Sequence, residues 1–275
     1  MRKNGLMITG LVLLVVIGGA SLLAPFLSPF DPLEVRLNNR FAPPFQRPHL
    51  LGTDALGRDV LSRLLYGGRL SLLLAVLSTL ITLSVGMLLG MLAGYFGGWV
   101  DGVVSFVVNT FLGIPDVVFT LALLGVLRPG FGTLLLALNA GSWVGLARVA
   151  RGEVLFLRES GFVEGARAMG AGAWYCLLKH ILPNLFPTMG VLGSLRFGGF
   201  VLELAALSYL GIGVQPPFPD WAVMLNDARP YLFTHPHLFI FPALIITVVI
   251  LGANCLGEGL RDALDVRFQR GIGES

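Results

Sequence analysis

The run LSLLLAVLSTLITLSVGMLLGMLAGY, residues 70–95, decides the fold class of this chain. It lies in a stretch of 31 residues between Arg69 and Asp101 that carries no charged side chain. A helix that crosses a bilayer needs about 20 consecutive apolar residues. The apolar residues here are continuous and do not alternate with polar ones, which excludes a membrane β-strand. The run therefore predicts a membrane-spanning helix.

Charged residues separate this run from five other long apolar stretches. Each stretch is long enough for one spanning helix. We predict six spans, at about 6–28, 70–95, 102–127, 131–150, 185–211 and 238–259. The sequence therefore indicates an all-α membrane protein.

The composition of the whole chain supports a lipid environment. Of 275 residues, 55% are hydrophobic and 13% are charged, against about 25% charged in an average globular domain. The mean hydropathy is +0.80. This composition excludes intrinsic disorder, nucleic-acid binding and a secreted disulfide scaffold, and two cysteines are too few for a disulfide framework.

The N-terminus predicts an orientation that the charges alone leave open. Residues 1–5 carry two basic side chains before an apolar stretch that is too long for a signal peptide. An uncleaved first helix with its N-terminus inside, followed by five more spans, places both termini in the cytoplasm. That topology puts ten Lys and Arg residues inside and eight outside, which is a weak bias by the positive-inside rule.

The sequence motifs of several catalytic classes are missing. A phosphate-binding loop needs a lysine after a glycine, and neither Lys3 nor Lys179 follows one. The chain has no His-Glu-x-x-His or Gly-x-Ser-x-Gly sequence. We therefore expect no enzyme activity and no cofactor bound by this chain. A stand-alone channel or secondary carrier stays an alternative, although no clear internal repeat supports a carrier.

Residues 151–184 form the largest predicted cytoplasmic segment. Residues 159–169 suit a short helix, and Gly170 and Gly172 suit a turn after it. Residues 174–181 suit a second helix, which we expect Pro183 to end. The segment is either a docking site for a partner or a surface linker, and its composition leaves both open.

Part of this segment resembles the EAA motif of ATP-binding-cassette importer permeases. That motif runs Glu-Ala-Ala, three residues, Gly, nine residues, Ile, one residue, Leu-Pro. The matching residues are Glu164, Gly165, Ala166, Gly170, Leu182 and Pro183. Two positions depart from the motif, since Gly165 replaces an alanine and His180 occupies the isoleucine position.

Three further blocks are similar to the C-type permease subunit of dipeptide, oligopeptide and nickel importers. They are HLLGTDALGRDVLSRLLYGGRLS (49–71), ELAALSYLGIGVQPP (203–217) with residues 221 and 226–229, and GLRDALD (259–265). The resemblance covers nearly the whole chain. It implies a type I importer-permease (MetI-like) fold with an N-terminal helix and external loop at 1–69. A five-helix core at 70–275 would follow, with a cytoplasmic coupling helix at about 159–183.

The resemblance also implies a function and partners. Such a chain forms half of the translocation path of an ATP-driven importer in the cytoplasmic (inner) membrane. A second permease subunit, two ATPase subunits that bind ATP and Mg, and an external substrate-binding protein complete the complex. We expect di- or oligopeptides as substrate, with nickel or a nickel chelate as the alternative.

Charged residues inside spans are costly and mark candidate sites. Asp116 follows Pro115, and Arg196 and Glu203 lie two helical turns apart on one face of the fifth span. These three residues either line the translocation path or make structural contacts between helices.

Three other features have competing interpretations. Gln215, Pro216, Pro217 and Trp221 suggest a rigid outer platform for the binding protein. Residues 58–66 suggest an amphipathic helix at the membrane interface. His235 and His237 indicate a turn more than a metal site, because two ligands alone hold a metal poorly.

Small residues on the second span predict close helix contact. Gly86, Gly90 and Gly94 repeat every four residues and allow two helices to approach closely. We favour packing inside one bundle over a contact between two copies.

Overall fold

A computed structural model describes residues 3–215 and 217–272. The helices are α1 (Lys3–Leu22), α2 (Ala24–Leu27), α3 (Val60–Phe96), α4 (Gly98–Leu112), α5 (Asp116–Val126), α6 (Phe131–Asn139), α7 (Trp143–Leu157), α8 (Gly161–Ala168), α9 (Ala173–Tyr175), α10 (Leu182–Tyr209), α11 (Trp221–Ala228) and α12 (His237–Ile272). Short 3₁₀ turns cover Leu37–Asn39 and Arg229–Tyr231, and a π-helical segment covers Cys176–Ile181. No β-strand occurs within the described ranges, which confirms the all-α prediction.

The spans comprise four continuous helices and two bent pairs. Gly5–Leu22, Val60–Phe96, Ala173–Tyr209 and His237–Leu264 are each long and apolar enough to cross a bilayer. The pair α4 and α5 bends by 80°, and the pair α6 and α7 bends by 43°. Counting each bent pair as one span gives six, the predicted number.

The predicted span at 102–127 is interrupted near its middle. The chain leaves helical geometry between α4 and α5, where Pro115 has extended backbone (ψ 133°). A proline disfavours helical conformation in the residue before it and has no N–H to donate. The third span therefore breaks at Pro115.

The second span begins earlier than predicted. Helix α3 starts at Val60, because Asp59 caps it by accepting a 2.8 Å hydrogen bond from the Ser62 amide. The expected interfacial helix at 58–66 is therefore the first part of α3, with Val60, Arg63 and Leu64 buried. The division of the chain at residues 69 and 70 stays a prediction.

Glycines of α3 form its contact with α7. A Cβ added at Gly90 would lie 2.6 Å from the Ala147 carbonyl oxygen and 2.6 Å from the Ala150 Cβ. Added Cβ atoms at Gly86 and Gly94 would likewise approach α7 to 2.8 Å. The predicted packing inside one bundle is confirmed, and these positions have no room for a side chain.

Helix α10 lies at the centre of the bundle. Its residues Phe200, Val201 and Leu204 are at most 2% exposed and pack among side chains of α3, α11 and α12. Helix α1 crosses α12 closely, since a Cβ at Gly10 would meet the Gly252 carbonyl oxygen at 2.5 Å. The candidate site residues on α10 are therefore held by neighbours on several sides.

Candidate functional site

The predicted coupling segment contains a short helix with one buried face. Helix α8 lies within the predicted 159–169 and buries Val163 and Ala166 against the bundle. Glu164, Gly165 and Arg167 are exposed. The Ala166 side chain therefore anchors the helix, while Glu164 and Gly165 face outward and are available to a partner.

Gly170 ends α8 with a Schellman motif. The Ala171 amide donates to the Ala166 carbonyl oxygen (3.0 Å), and the Gly170 amide donates to the Arg167 carbonyl oxygen (2.9 Å). This geometry needs a left-handed residue, and Gly170 has φ +89°. The glycine of the motif is thus required by the backbone of this turn.

The expectation that Pro183 ends a helix is wrong. The chain is continuously helical from Ala173 to Tyr209, with Leu182 and Pro183 in the first turn of α10. Pro183 has no N–H to donate to the preceding turn, and that turn departs from regular α-helical hydrogen bonding, as helices often do at local π-helical segments. The π-helical segment Cys176–Ile181 precedes this turn.

Two arginines, one at the end of α7 and one on α8, contact the end of α3. Arg158 Nη1 donates to the Gly94 carbonyl oxygen at 3.0 Å. The Arg167 guanidinium lies 5.0 Å from the centre of the Tyr95 ring, within cation–π range. The end of α3 is therefore one of the places that a movement of α8 would reach.

The structure joins two of the candidate path residues in an ion pair. Arg196 Nη2 lies 2.8 Å from Asp116 Oδ2, although the residues are 80 positions apart in sequence. The Ser142 hydroxyl accepts from Arg196. Its one hydrogen has two acceptors within reach, the same Asp116 oxygen at 3.0 Å and the Leu138 carbonyl oxygen at 2.6 Å. The group connects α5, α10 and the turn before α7.

A cavity of about 570 Å³ borders this polar group. Asp116, Ser142, Arg196, Gly145 and Gly199 are among its lining residues. Both side chains of the ion pair are about one third exposed. A cavity of this volume is large enough for a small ligand.

The third candidate, Glu203, is not part of the ion pair. Its Oε1 accepts a 3.2 Å hydrogen bond from Thr120, one turn further along α5. The side chain lies two turns from Arg196 along α10. The structure therefore brings together Asp116 and Arg196 and places Glu203 beside them.

The prediction that Trp221 belongs to an outer platform for the binding protein is wrong. Its side chain is 1% exposed, and its Nε1 donates to the Leu64 carbonyl oxygen at 2.8 Å. Asp220 caps α11 and directs Trp221 against α3, where Gly67 and Gly68 leave space for the indole. A buried side chain cannot meet a binding protein directly.

The remaining platform residues have different outcomes. Gln215 and Pro217 are exposed, so their contact with a binding protein stays a prediction. Pro216 lies outside the described residues.

Comparison with known proteins places the chain in a family. Residues 86–270 match the family described as "Binding-protein-dependent transport system inner membrane component". Residues 1–44 match the "N-terminal TM domain of oligopeptide transport permease C". The chain belongs to the binding-protein-dependent transport permeases. It is an importer permease of the ATP-binding-cassette class, in the peptide and nickel group.

The permease aligns with its relatives over nearly its whole length. It is 37% identical to the glutathione transport system permease protein GsiD of Pectobacterium atrosepticum over 269 residues, which is 98% of this chain and 89% of the relative. It is 35% identical to the dipeptide transport system permease protein DppC of Bacillus subtilis over 271 residues, 98% of this chain and 84% of the relative.

Sequence reasoning missed one charged cluster on the permease. Asp54 Oδ2 accepts from Arg58 Nε (2.7 Å) and Arg63 Nη1 (2.6 Å), and both arginines also reach Asp227. The cluster ties the loop before α3 to α11. Its residues lie in the blocks at 49–71 and 226–229 that carry the resemblance. The sequence therefore marked these residues but did not indicate that they form ion pairs with one another.

Among the described residues of the permease, no three His, Cys, Asp or Glu side chains are grouped to hold a metal ion. His235 stacks on Phe41 with ring centres 4.2 Å apart. This aromatic contact gives the histidine a packing role in the turn before α12.

Proposed function

We propose that this permease forms half of the translocation path of an ATP-driven importer for small peptides. The observation that carries the proposal is the alignment of 98% of the chain with permeases named for dipeptide and glutathione transport. Both named substrates are short peptides with free charged groups. Peptide import is therefore the activity that the relatives favour.

In this proposal, α8 is the contact with an ATPase subunit. Its exposed Glu164 and Gly165 and its buried Val163 and Ala166 give it an outer and an anchored face. A second permease subunit supplies the other half of the path, and two ATPase subunits bind ATP and Mg. An external binding protein delivers the peptide, with exposed Gln215 and Pro217 as candidate contacts. Both termini lie in the cytoplasm.

The proposed path passes the cavity beside Asp116 and Arg196. Charged groups at membrane depth are costly unless they pair or face a cavity, and these residues pair with each other and line one. Glu203, hydrogen-bonded to Thr120, is assigned to the same path.

The test is peptide uptake by the purified complex in proteoliposomes. With ATP on the ATPase side and the binding protein on the other, we expect uptake of a labelled dipeptide. The double variant Glu164→Arg with Gly170→Pro should abolish uptake and peptide-stimulated ATP hydrolysis. Gly161→Ala is the matched control on the same helix, since Gly161 lies outside the motif and no atom lies within 4 Å of the added methyl group.

Two other results would replace this proposal. Uptake of a nickel ion or nickel chelate, with no uptake of peptides, would assign the permease to nickel import. Uptake by this chain alone, without ATPases or a binding protein, would make it a channel or secondary carrier. Full uptake by the double variant would reject α8 as the coupling helix.

A further inference from the structure

The ion pair between Asp116 and Arg196 leaves hydrogen-bonding capacity unused. Within the described residues, Asp116 Oδ1 and Arg196 Nε are buried and have no hydrogen-bond partner. A buried polar atom without a partner is destabilising, because it has lost its hydrogen bond to water and gained none in the protein. The ion pair therefore leaves one hydrogen-bond acceptor and one hydrogen-bond donor without partners.

The pair lies between a spanning helix and two bent pairs of helices. Arg196 is the fifteenth of the 28 residues of α10, near the middle of the span. Asp116 begins α5 after the 80° bend, and Ser142 precedes α7 at the 43° bend. Non-helical backbone at membrane depth is tolerated where it is buried in protein or lines a cavity, and interrupted helices form substrate sites in other transporters.

We infer that Asp116 and Arg196 receive the two charged ends of a zwitterionic peptide. This inference rests on the proposed import of peptides. An α-ammonium group only donates hydrogen bonds and fits the Asp116 carboxylate, whereas a terminal carboxylate only accepts them. The Arg196 guanidinium can bind that carboxylate through two parallel hydrogen bonds, using the free Nε beside an Nη atom.

The distance between the two residues requires them to separate on binding. Asp116 Oδ2 and Arg196 Nη2 are 2.8 Å apart, whereas an extended dipeptide is about 7 Å long. A peptide would therefore enter as α5 moves away from α10, and its ends would replace the ion pair. Each buried charge keeps a partner during the exchange, which avoids the large cost of an unpaired charge.

The same two residues would close the empty path. Without a peptide, the carboxylate and guanidinium find each other across the cavity, and Ser142 bridges them. A ligand with only one charged end leaves the opposite residue unpaired. The site therefore selects for peptides with both ends free.

The experiment pairs protein variants with chemically blocked peptides. The complete complex in proteoliposomes is given an alanyl dipeptide that is free, N-acetylated or C-amidated. Each peptide is supplied at a concentration that saturates the binding protein, as checked by its fluorescence. The chains compared are the unchanged permease, Asp116→Asn, Arg196→Gln, the charge-retaining Arg196→Lys, and Thr247→Val, an exposed control on α12.

Each variant has lost its contact with one end of the peptide. We therefore expect it to transport the peptide that is blocked at that end about as well as the unchanged permease does. Arg196→Gln should lower uptake of the free dipeptide at least tenfold and that of the amidated dipeptide less than twofold. Asp116→Asn should lower uptake of the free dipeptide at least tenfold and that of the acetylated dipeptide less than twofold. Arg196→Lys should be intermediate, and Thr247→Val should match the unchanged permease.

A structural role for the pair gives a different pattern. Equal losses with free and blocked peptides, or no loss in any variant, would overturn the inference while peptide import stands. No uptake of any peptide by the unchanged complex would instead reject the proposed function. Thermal unfolding of each purified complex identifies variants that fail to fold, and Arg196→Lys then decides, because it keeps the charge.

Discussion

Arg158 donates a 3.0 Å hydrogen bond from Nη1 to the carbonyl oxygen of Gly94. The arginine directly follows α7, and the glycine lies in the last turn of α3, 64 residues earlier. Helix α3 continues without a break for 37 residues to the Asp54 cluster at its other end. One hydrogen bond thus connects the short turn between α7 and α8 to the longest helix among the described residues.

Arg158→Gln should weaken the coupling between ATP hydrolysis and transport. The hydrogen bond of a charged donor is worth about 1.5–3 kcal/mol, so its loss should lower the number of peptides imported per ATP hydrolysed by about tenfold. Uptake and phosphate release measured in the same proteoliposomes check this. Arg148→Gln is the control, because it makes the same change at an exposed arginine of α7. An unchanged ratio in Arg158→Gln would remove this contact from the coupling path.

Gly170→Ala should fray the end of α8. An L-residue in the left-handed conformation costs about 1–2 kcal/mol, and Gly170 has φ +89°. Amide hydrogen exchange of residues 163–171 should become about tenfold faster. Gly165→Ala should slow it, since alanine favours a helix interior over glycine by about 0.5–1 kcal/mol. Equal exchange rates in both variants would contradict the assigned role of Gly170.

Gly90→Ala should separate α3 from α7. The new methyl group would lie 2.6 Å from both the Ala147 carbonyl oxygen and the Ala150 Cβ, and such overpacking costs about 1–3 kcal/mol. The thermal unfolding midpoint of the purified permease should fall. Gly152→Ala on α7, with no atom within 4 Å of its added Cβ, should leave the midpoint unchanged or raise it. A midpoint unchanged in Gly90→Ala would mean that the helices adjust freely.

Asp220 should make stability depend on pH. Burial raises the pKa of the Asp220 carboxyl group, against hydrogen bonds from Ser71 and the α11 amides that favour its charged form. The Ser71 hydroxyl has one hydrogen and two acceptors, Gly67 O and Asp220 Oδ2. When Asp220 is protonated, each of these groups has a partner, because Asp220 donates to Ser71 while Ser71 donates to the Gly67 carbonyl oxygen.

The sign of this pH dependence follows from the raised pKa. The folded chain holds the proton more tightly than the unfolded chain, so the stabilising contribution is complete below the unfolded pKa. It is lost as the pH rises through the folded pKa. Unfolding midpoints between pH 4 and 9 should fall with rising pH in the unchanged permease.

Two variants isolate the Asp220 effect. Asp220→Asn mimics the protonated acid and keeps the cap on the Ala222 amide, so its midpoint should be flat in pH over the same range. Asp220→Ala should also be flat in pH but about 1 kcal/mol less stable than Asp220→Asn, because the helix cap is lost. A pH slope in Asp220→Asn equal to that of the unchanged permease would assign the effect to another group.

The sequence by itself determined the class and the spans of this protein. In lipid, each backbone polar group must be satisfied within its own helix, so a long apolar run has one outcome. The stretches at 70–95 and 238–259 were predictable for that reason. The glycine of the EAA-like motif was also predictable, because a turn after a helix calls for a left-handed residue.

Only the tertiary structure decided which distant polar groups meet. Asp116 and Arg196 pair across 80 residues, since the bend after Pro115 turns α5 toward the middle of α10. Trp221 is buried because Gly67 and Gly68 leave room for it on α3. Periodicity predicts the side of a helix on which a residue lies. Its contact partner on another helix depends on how the helices pack.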